Sequence, residues 1–345
     1  FANPNSLHKL GIEAKKLSDA ATNQIAHILN VKPEEIIYTS SSSESNNMAI
    51  KGIALRNQKR GKHIITTNLE HSSIYGPISY LQTLGFEVDF VKTKNGIVDL
   101  EDLKKLLRPD TILVTIGAVN SEVGLRQPIE EIGELLKEYP CYFHVDATQA
   151  IGKIKIDFRN VDLISFTAHK FYGIKGIACL VKKESILMEP LIHGGKSTTK
   201  YRSGTPALPL IVSMAKALRL IDEELDTNYQ HALELNQYLK EQLKNINQIK
   251  INSNEKAIPH ILNISVMGIK PETMQHALEE YDIYISTQSA CSSNNPISRS
   301  VLEATKDEET AKHSIRISLS GITTKEEIDQ LLVALKECLE RLHIK

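Results

Sequence analysis

Two side chains in this sequence have the types and the placing for amine chemistry: Lys170 and Asp146. Lys170 lies in Thr167-Ala168-His169-Lys170-Phe171-Tyr172-Gly173-Ile174-Lys175-Gly176, just after the strand-like run Val161 to Phe166. Glycines then turn the chain, and a second apolar run, Ile177 to Val181, leads away. Asp146 lies in His144-Val145-Asp146-Ala147-Thr148-Gln149, at the end of the preceding apolar run, which puts both residues at one edge of one sheet. A lone loop lysine is ordinarily a solvated cation, but a carboxylate at the same edge changes that reading. An amine for a Schiff base and a carboxylate for a pyridinium nitrogen are what pyridoxal phosphate (PLP) needs.

The elements that must position these residues alternate. Strand-like runs at 35–39, 63–67, 86–92, 111–117, 141–147, 161–168 and 177–181 are separated by helical or loop segments, the clearest helix following Pro128. An earlier helix spans about Gly11 to Asn30, with Pro33 marking its stop. This alternation predicts an α/β fold with a mostly parallel sheet covered on both faces, whose ligands bind at the carboxyl ends of the strands. Ser43, His71, Asn120, Asp146, Gln149 and Lys170 all fall at such ends. The serine run from Ser40 to Ser43, between a strand and a helix, is an anion-site candidate, because helix N-termini favour phosphate; a plain turn is the competing reading.

Pro206 opens a long apolar helix, and a second helix follows Asp226. The acidic break Glu223-Glu224-Leu225-Asp226 divides the chain into a large domain, 1–225 with 1–10 as an entry loop, and a smaller α+β domain, 226–345. In the latter the pattern predicts a strand at 263–266, a helix at 271–280, and a strand near 283–286. A long polar loop from Gln288, a strand at 314–320 and a last amphipathic helix from Lys325 to Leu342 follow.

Composition narrows the function class. With 41 Lys+Arg against 42 Asp+Glu in 345 residues, no overall field selects nucleic acid or an anionic membrane. No apolar run reaches a membrane span of roughly 20 residues, and no signal-peptide pattern is visible. GxGxxG and GxxxxGK[ST] are absent, which argues against dinucleotide and P-loop sites. Four cysteines without a CxxC pair argue against a zinc knuckle or disulfide framework and favour a reducing, cytoplasmic setting. Cys141, Cys179 and Cys338 read as buried small hydrophobes. Cys291, in the small polar stretch Ser289 to Asn295, reads as an exposed thiol.

Taken in order, TSSSSESNN (39–47), Glu70-His71, NSEVG (120–124), HVDATQ, HKFYGIKG, Arg202-Ser203-Gly204-Thr205, Ser289-Ala290-Cys291 and Ser314 to Ser318 resemble the cysteine desulfurases of the NifS/IscS type. These are class V aminotransferases with the fold-type I PLP architecture, and the resemblance runs from Asn3-Pro4 to the last helix. It implies that Lys170 binds PLP and moves substrate protons, that Asp146 pairs with the pyridinium nitrogen, and that His71 stacks on the ring as an acid or base. Gln149 would bond the phenolic oxygen and Asn120 orient ring or substrate. Ser42, Ser43, Thr167 and His169 would hold the phosphate, and Thr205 would reach the neighbouring subunit's site. Arg316 would grip the substrate carboxylate with its two-pronged guanidinium.

Cys291 would be the nucleophile that takes sulfur as a persulfide, on a loop able to carry it outward. The implied protein is a homodimer that converts L-cysteine to alanine and passes sulfur to an iron–sulfur scaffold or a tRNA-thiolation protein. A selenocysteine lyase, another class V aminotransferase, and an inactive scaffold are the alternatives. The chain departs from the family where Ser41-Ser42-Ser43 stands for Gly-Ala-Thr and Ile174 for a frequent proline. His193 to Thr198 lacks the usual acidic or glutamine partner. The family's opening strand and its Asn-Ala-Ala-Thr-like turn are not among these residues.

Overall fold

The computed structural model describes residues 2–195, 197–287 and 297–342. They form two compact units. The first holds residues up to 92, 99–118 and 128–225; the second holds 93–98, 119–127 and the chain from Asp226 onward.

In the first unit the strands are β1 (Ile36–Thr39), β2 (His63–Thr66), β3 (Glu87–Phe90), β6 (Thr111–Gly117), β7 (Tyr142–Asp146), β8 (Leu163–Thr167) and β9 (Ala178–Lys182), with the short pair β4 (Thr93–Lys94) and β5 (Ile97–Val98) assigned to the second unit. They make one sheet in the order β1-β9-β8-β7-β6-β2-β3. Pairing is parallel from β3 through β2, β6 and β7 to β8, while β9 is antiparallel to both β8 and β1. Thus β1 runs with β8, and the carboxyl ends of six strands share one edge. Thr39, Thr66, Gly117, Asp146 and Thr167 are the last residues of five of them. The sequence reading of a mostly parallel α/β sheet is the fold observed.

The inner strands are largely apolar because both faces are covered: every residue of β2, β8 and β9 is buried, whereas the edge strand β3 is not. Helix α1 (Lys9–Leu29) ends at Asn30, whose left-handed φ of 53° lets its N–H bond the Ala26 and His27 carbonyls. Helix α2 (Ser42–Asn57) packs on the sheet through Met48, Ile50 and Ile53 and meets α3 (Ser72–Thr83). Helices α4 (Leu100–Leu106), α5 (Ile129–Leu136) and α6 (Leu208–Glu223) complete the unit, with α6 packed on α1.

The second unit packs α7 (Leu225–Leu243), α8 (Pro271–Glu279) and α11 (Lys325–Leu342) with a three-stranded antiparallel sheet. Its strands are β10 (Ile249–Ile251), β11 (Ile261–Val266) and β12 (Ser314–Ser318). Two expectations are corrected here. The strand expected near 283–286 is reduced to one bridge, Ser286 with Arg316, because Asp282 takes a left-handed φ of 57° and Tyr284 is 77% exposed. The long loop before Ser314 contains two short helices, α9 (Arg299–Thr305) and α10 (Glu308–Lys312), started by the side chains of Ser298 and Asp307. Among the described residues no helix is long and apolar enough to cross a membrane, and no group of three or more His, Cys, Asp or Glu could hold a metal ion.

Candidate active site

Asp146 closes β7 between β6 and β8, opposite Gly117 and Ser165. Its carboxylate is nearly buried, at 9% exposure, and each oxygen accepts from an uncharged group: Oδ1 from the Thr148 backbone N–H at 3.0 Å, Oδ2 from the Asn46 side-chain amide at 2.8 Å. Two buried polar atoms beside it, Asn46 Oδ1 and Thr148 Oγ1, have no hydrogen-bond partner. A carboxylate so placed, with unmet polar atoms around it, suits a cationic ring N–H arriving at the sheet edge. The residues present fit PLP.

Lys170 stands one strand over. Strand β8 ends at Thr167 and passes into a single 3-10 turn, Ala168–Phe171, closed by Tyr172 in the left-handed region at φ 65°. Ala168 N–H donates to Ile177 O at 3.1 Å, and Gly173 N–H to Ala168 O at 2.9 Å. A Cβ at position 173 would come within 2.9 Å of that same carbonyl, so glycine is required there. The turn leaves Lys170 half-buried and His169 exposed. Thr167, buried, donates its hydroxyl to Ile177 O at 3.1 Å and lies 3.2 Å from His169 Nδ1. Burial, then the charges of Lys170, Lys175 and Lys153, push the His169 imidazole below its usual range. Gln149, two residues past Ala147, accepts from Lys153 Nζ at 3.0 Å.

The serine run caps α2. Ser41 Oγ accepts the Glu44 N–H at 3.2 Å, so Ser42 and Ser43 form the first helical turn, half-buried and exposed respectively, at the edge where Asp146 and Lys170 lie. Glu44 then accepts from Ser40 N–H at 2.7 Å and from Arg202 Nε at 2.9 Å. This ties the segment of Arg202 to the cap, and Thr205 beyond it is exposed.

His71 is the N-cap of α3; its Nδ1 accepts the Ser73 N–H at 3.2 Å, and its side chain is exposed. The preceding Glu70 was missed as a site feature. Although the residue as a whole is half-buried, its carboxyl is enclosed against Gly117, where a Cβ would lie 3.2 Å from Oε2. Burial pushes this carboxyl up to about 8, against the bonds from Thr67 and Gly117 and with the help of the Asp146 charge. The raised value makes Glu70 favour the folded state while it is protonated. That contribution is full below about 4.5 and lost as pH rises to about 8. In Glu70→Gln the thermal midpoint should lose that pH slope, and at pH 8 the variant should be more stable by an amount on the order of a few kcal/mol. Equal slopes in both proteins would refute the assignment.

His144 lies inside the sheet, bonded to Thr115 and Ser165 at 2.8 and 2.9 Å, and burial drives its imidazole well below the usual range. Of the other cysteines, Cys179 and Cys338 are buried and Cys141 is partly exposed; burial pushes the Cys141 thiol up to about 11.

The second unit carries its own polar cluster. Arg316, on β12, donates from Nη1 to Ser121 O at 2.9 Å and from Nη2 to Ser286 Oγ at 3.0 Å, while its buried Nε has no partner. Asn120 is nearly buried; its Oδ1 accepts the Glu122 and Val123 N–H groups, and its Nδ2 donates to Ser300 Oγ at 3.0 Å. Asn120 therefore shapes the 120–124 turn in addition to any contact with a ligand. Cys291 lies outside the described residues.

The fold is that of the PLP-dependent transferases. A solved structure titled NifS-like protein superposes with a TM-score of 0.92 at 37% identity, covering 100% of this chain and 92% of that one. The chain belongs to the class V aminotransferases, whose family model ("Aminotransferase class-V") matches residues 1–331. Among curated relatives, a cysteine desulfurase IscS of Dictyoglomus turgidum is 39% identical over 99% of this chain and 88% of its own. A NifS/IcsS protein homolog of Lactobacillus delbrueckii subsp. bulgaricus is 43% identical, over 98% and 90%.

Proposed function

We propose that this chain is a PLP-dependent cysteine desulfurase that converts L-cysteine to L-alanine and leaves the sulfur as a persulfide on Cys291. The observation that carries the reading is the carboxylate of Asp146 held by two uncharged donors one strand from Lys170, in a chain similar along its whole length to cysteine desulfurases. PLP, when bound, supplies an aldehyde for amine capture and an electron-withdrawing ring. Asp146 would keep that ring's nitrogen protonated; the first turn of α2, with Ser42 and Ser43, together with Thr167 and His169, would hold the phosphate. Gln149 and Asn120 would orient ring or substrate, and Thr205 would serve a second copy's phosphate in a homodimer.

In this reading Arg316 binds the substrate carboxylate. The Lys170 amine removes the Cα proton and later returns a proton, with His71 as a further acid or base. The Cys291 thiolate attacks the substrate sulfur, a new S–S bond forms, the substrate's C–S bond breaks, and its carbon skeleton leaves as alanine once protonated. The persulfide then passes to a protein acceptor, an iron–sulfur scaffold or a tRNA-thiolation protein, in the cytoplasm.

Alanine and sulfide release from L-cysteine, with PLP and a thiol reductant, tests this. The wild type should give equal amounts of both, and Cys291→Ala should lower both by roughly 100-fold. Full turnover in Cys291→Ala would place the chain with another class V reaction, and no product from the wild type would reject desulfuration.

A further inference from the structure

Asn46 and Ser73 are polar, nearly or fully buried, and given no part in the proposed chemistry. Asn46 Nδ2 sits 2.8 Å from Asp146 Oδ2 and 2.9 Å from Ser73 Oγ; Ser73 Oγ in turn sits 2.8 Å from His71 Nδ1. The direction of each hydrogen follows from chemistry. The Ser73 backbone N–H, 3.2 Å from His71 Nδ1, can only donate, so Nδ1 presents a lone pair. The Ser73 hydroxyl near the same nitrogen must then donate to it as well. With its own hydrogen committed, Ser73 Oγ accepts from Asn46. The second Asn46 hydrogen goes to a carboxylate that can only accept, which leaves Asn46 Oδ1 as the partnerless atom.

We propose that Asn46 and Ser73 are positioning residues: the Asn46 amide donates to Asp146 on one side and, through the Ser73 hydroxyl, toward His71 on the other, so that His71 Nδ1 is held as an acceptor and the ring proton sits on Nε2. His71 then offers a donor, not a lone pair, to whatever lies beyond Nε2, and one amide on α2 ties the end of β7 to the start of α3. That His71 serves the reaction rests on the proposed function; its tautomer does not.

The test is direct. In protein labelled with nitrogen-15 at histidine, two-bond proton–nitrogen spectra distinguish the two ring nitrogens of His71, with and without PLP. The neutral ring of the wild type should show a non-protonated Nδ1 and a protonated Nε2. Ser73→Ala, a small truncation at the second residue of α3, should shift part of the population to the other tautomer. It should also lower kcat about 5- to 10-fold, with KM and PLP affinity held within about twofold, a loss in the range of one hydrogen bond. Ser73→Thr, which keeps the hydroxyl, should restore both readouts. An unchanged His71 tautomer in Ser73→Ala, or a Thr variant that fails like the Ala variant, overturns this arrangement. A shifted tautomer in a protein that never releases sulfide keeps the arrangement and rejects the reaction.

Discussion

Lys170→Ala should lose turnover of L-cysteine by roughly 10⁴-fold or more, because in the proposed function it removes both the amine that would capture the cofactor and the base that would move the substrate's protons. The variant should fold. The turn that carries Lys170 is closed by the Ala168-to-Ile177 and Gly173-to-Ala168 backbone bonds, which need no lysine amine. Its thermal midpoint without PLP should therefore match the wild type within a few degrees. PLP should bind reversibly and leave on dialysis, where the wild type keeps it. Activity within tenfold of the wild type would remove Lys170 from the reaction.

Arg316→Lys should lower kcat/KM for L-cysteine on the order of 10³-fold, most of it through KM. The guanidinium spends one nitrogen on Ser121 O and another on Ser286 Oγ and has an unpartnered Nε. A planar fork can keep both bonds and still meet a carboxylate, whereas an ammonium is a single point charge that cannot. Burial also pushes this guanidinium below its usual range, so the charge is held at a cost that a bound anion would offset. The check is a KM and kcat comparison with a substrate amide lacking the carboxylate. Loss on L-cysteine but not on the amide is the expected result; equal loss on both would make Arg316 structural.

Much of the first unit was legible because buried parallel strands are largely apolar runs. The run Thr111 to Gly117 is strand β6 to the residue, and 161–168 contains β8. Lys170 and Asp146 were legible for the same reason, since a strand's end marks the sheet edge. The reversed direction of β9 was not, because an antiparallel strand buried on both faces has the composition of a parallel one. Helices α9 and α10 are short, 7 and 5 residues, too few for a periodic signal, although their caps Ser298 and Asp307 were there to be read. The segments 93–98 and 119–127, which group with the second unit, carry no mark of it in composition. Asn46 and Ser73 were passed over because a buried amide or hydroxyl shows its purpose only through partners distant in sequence, 100 residues away for Asn46 and Asp146.

The 3-10 turn after β8 bears on how the protein acquires its cofactor. Its left-handed Tyr172 and the close packing of Gly173 on Ala168 restrict the backbone there. The backbone entropy of the turn that presents the lysine is thus surrendered when the chain folds, leaving the side chain's own rotamer freedom to be lost on meeting PLP. Reconstitution of the empty protein becomes a collision with a ready surface. Its rate should rise in proportion to PLP concentration, without the plateau that a slow loop rearrangement would impose.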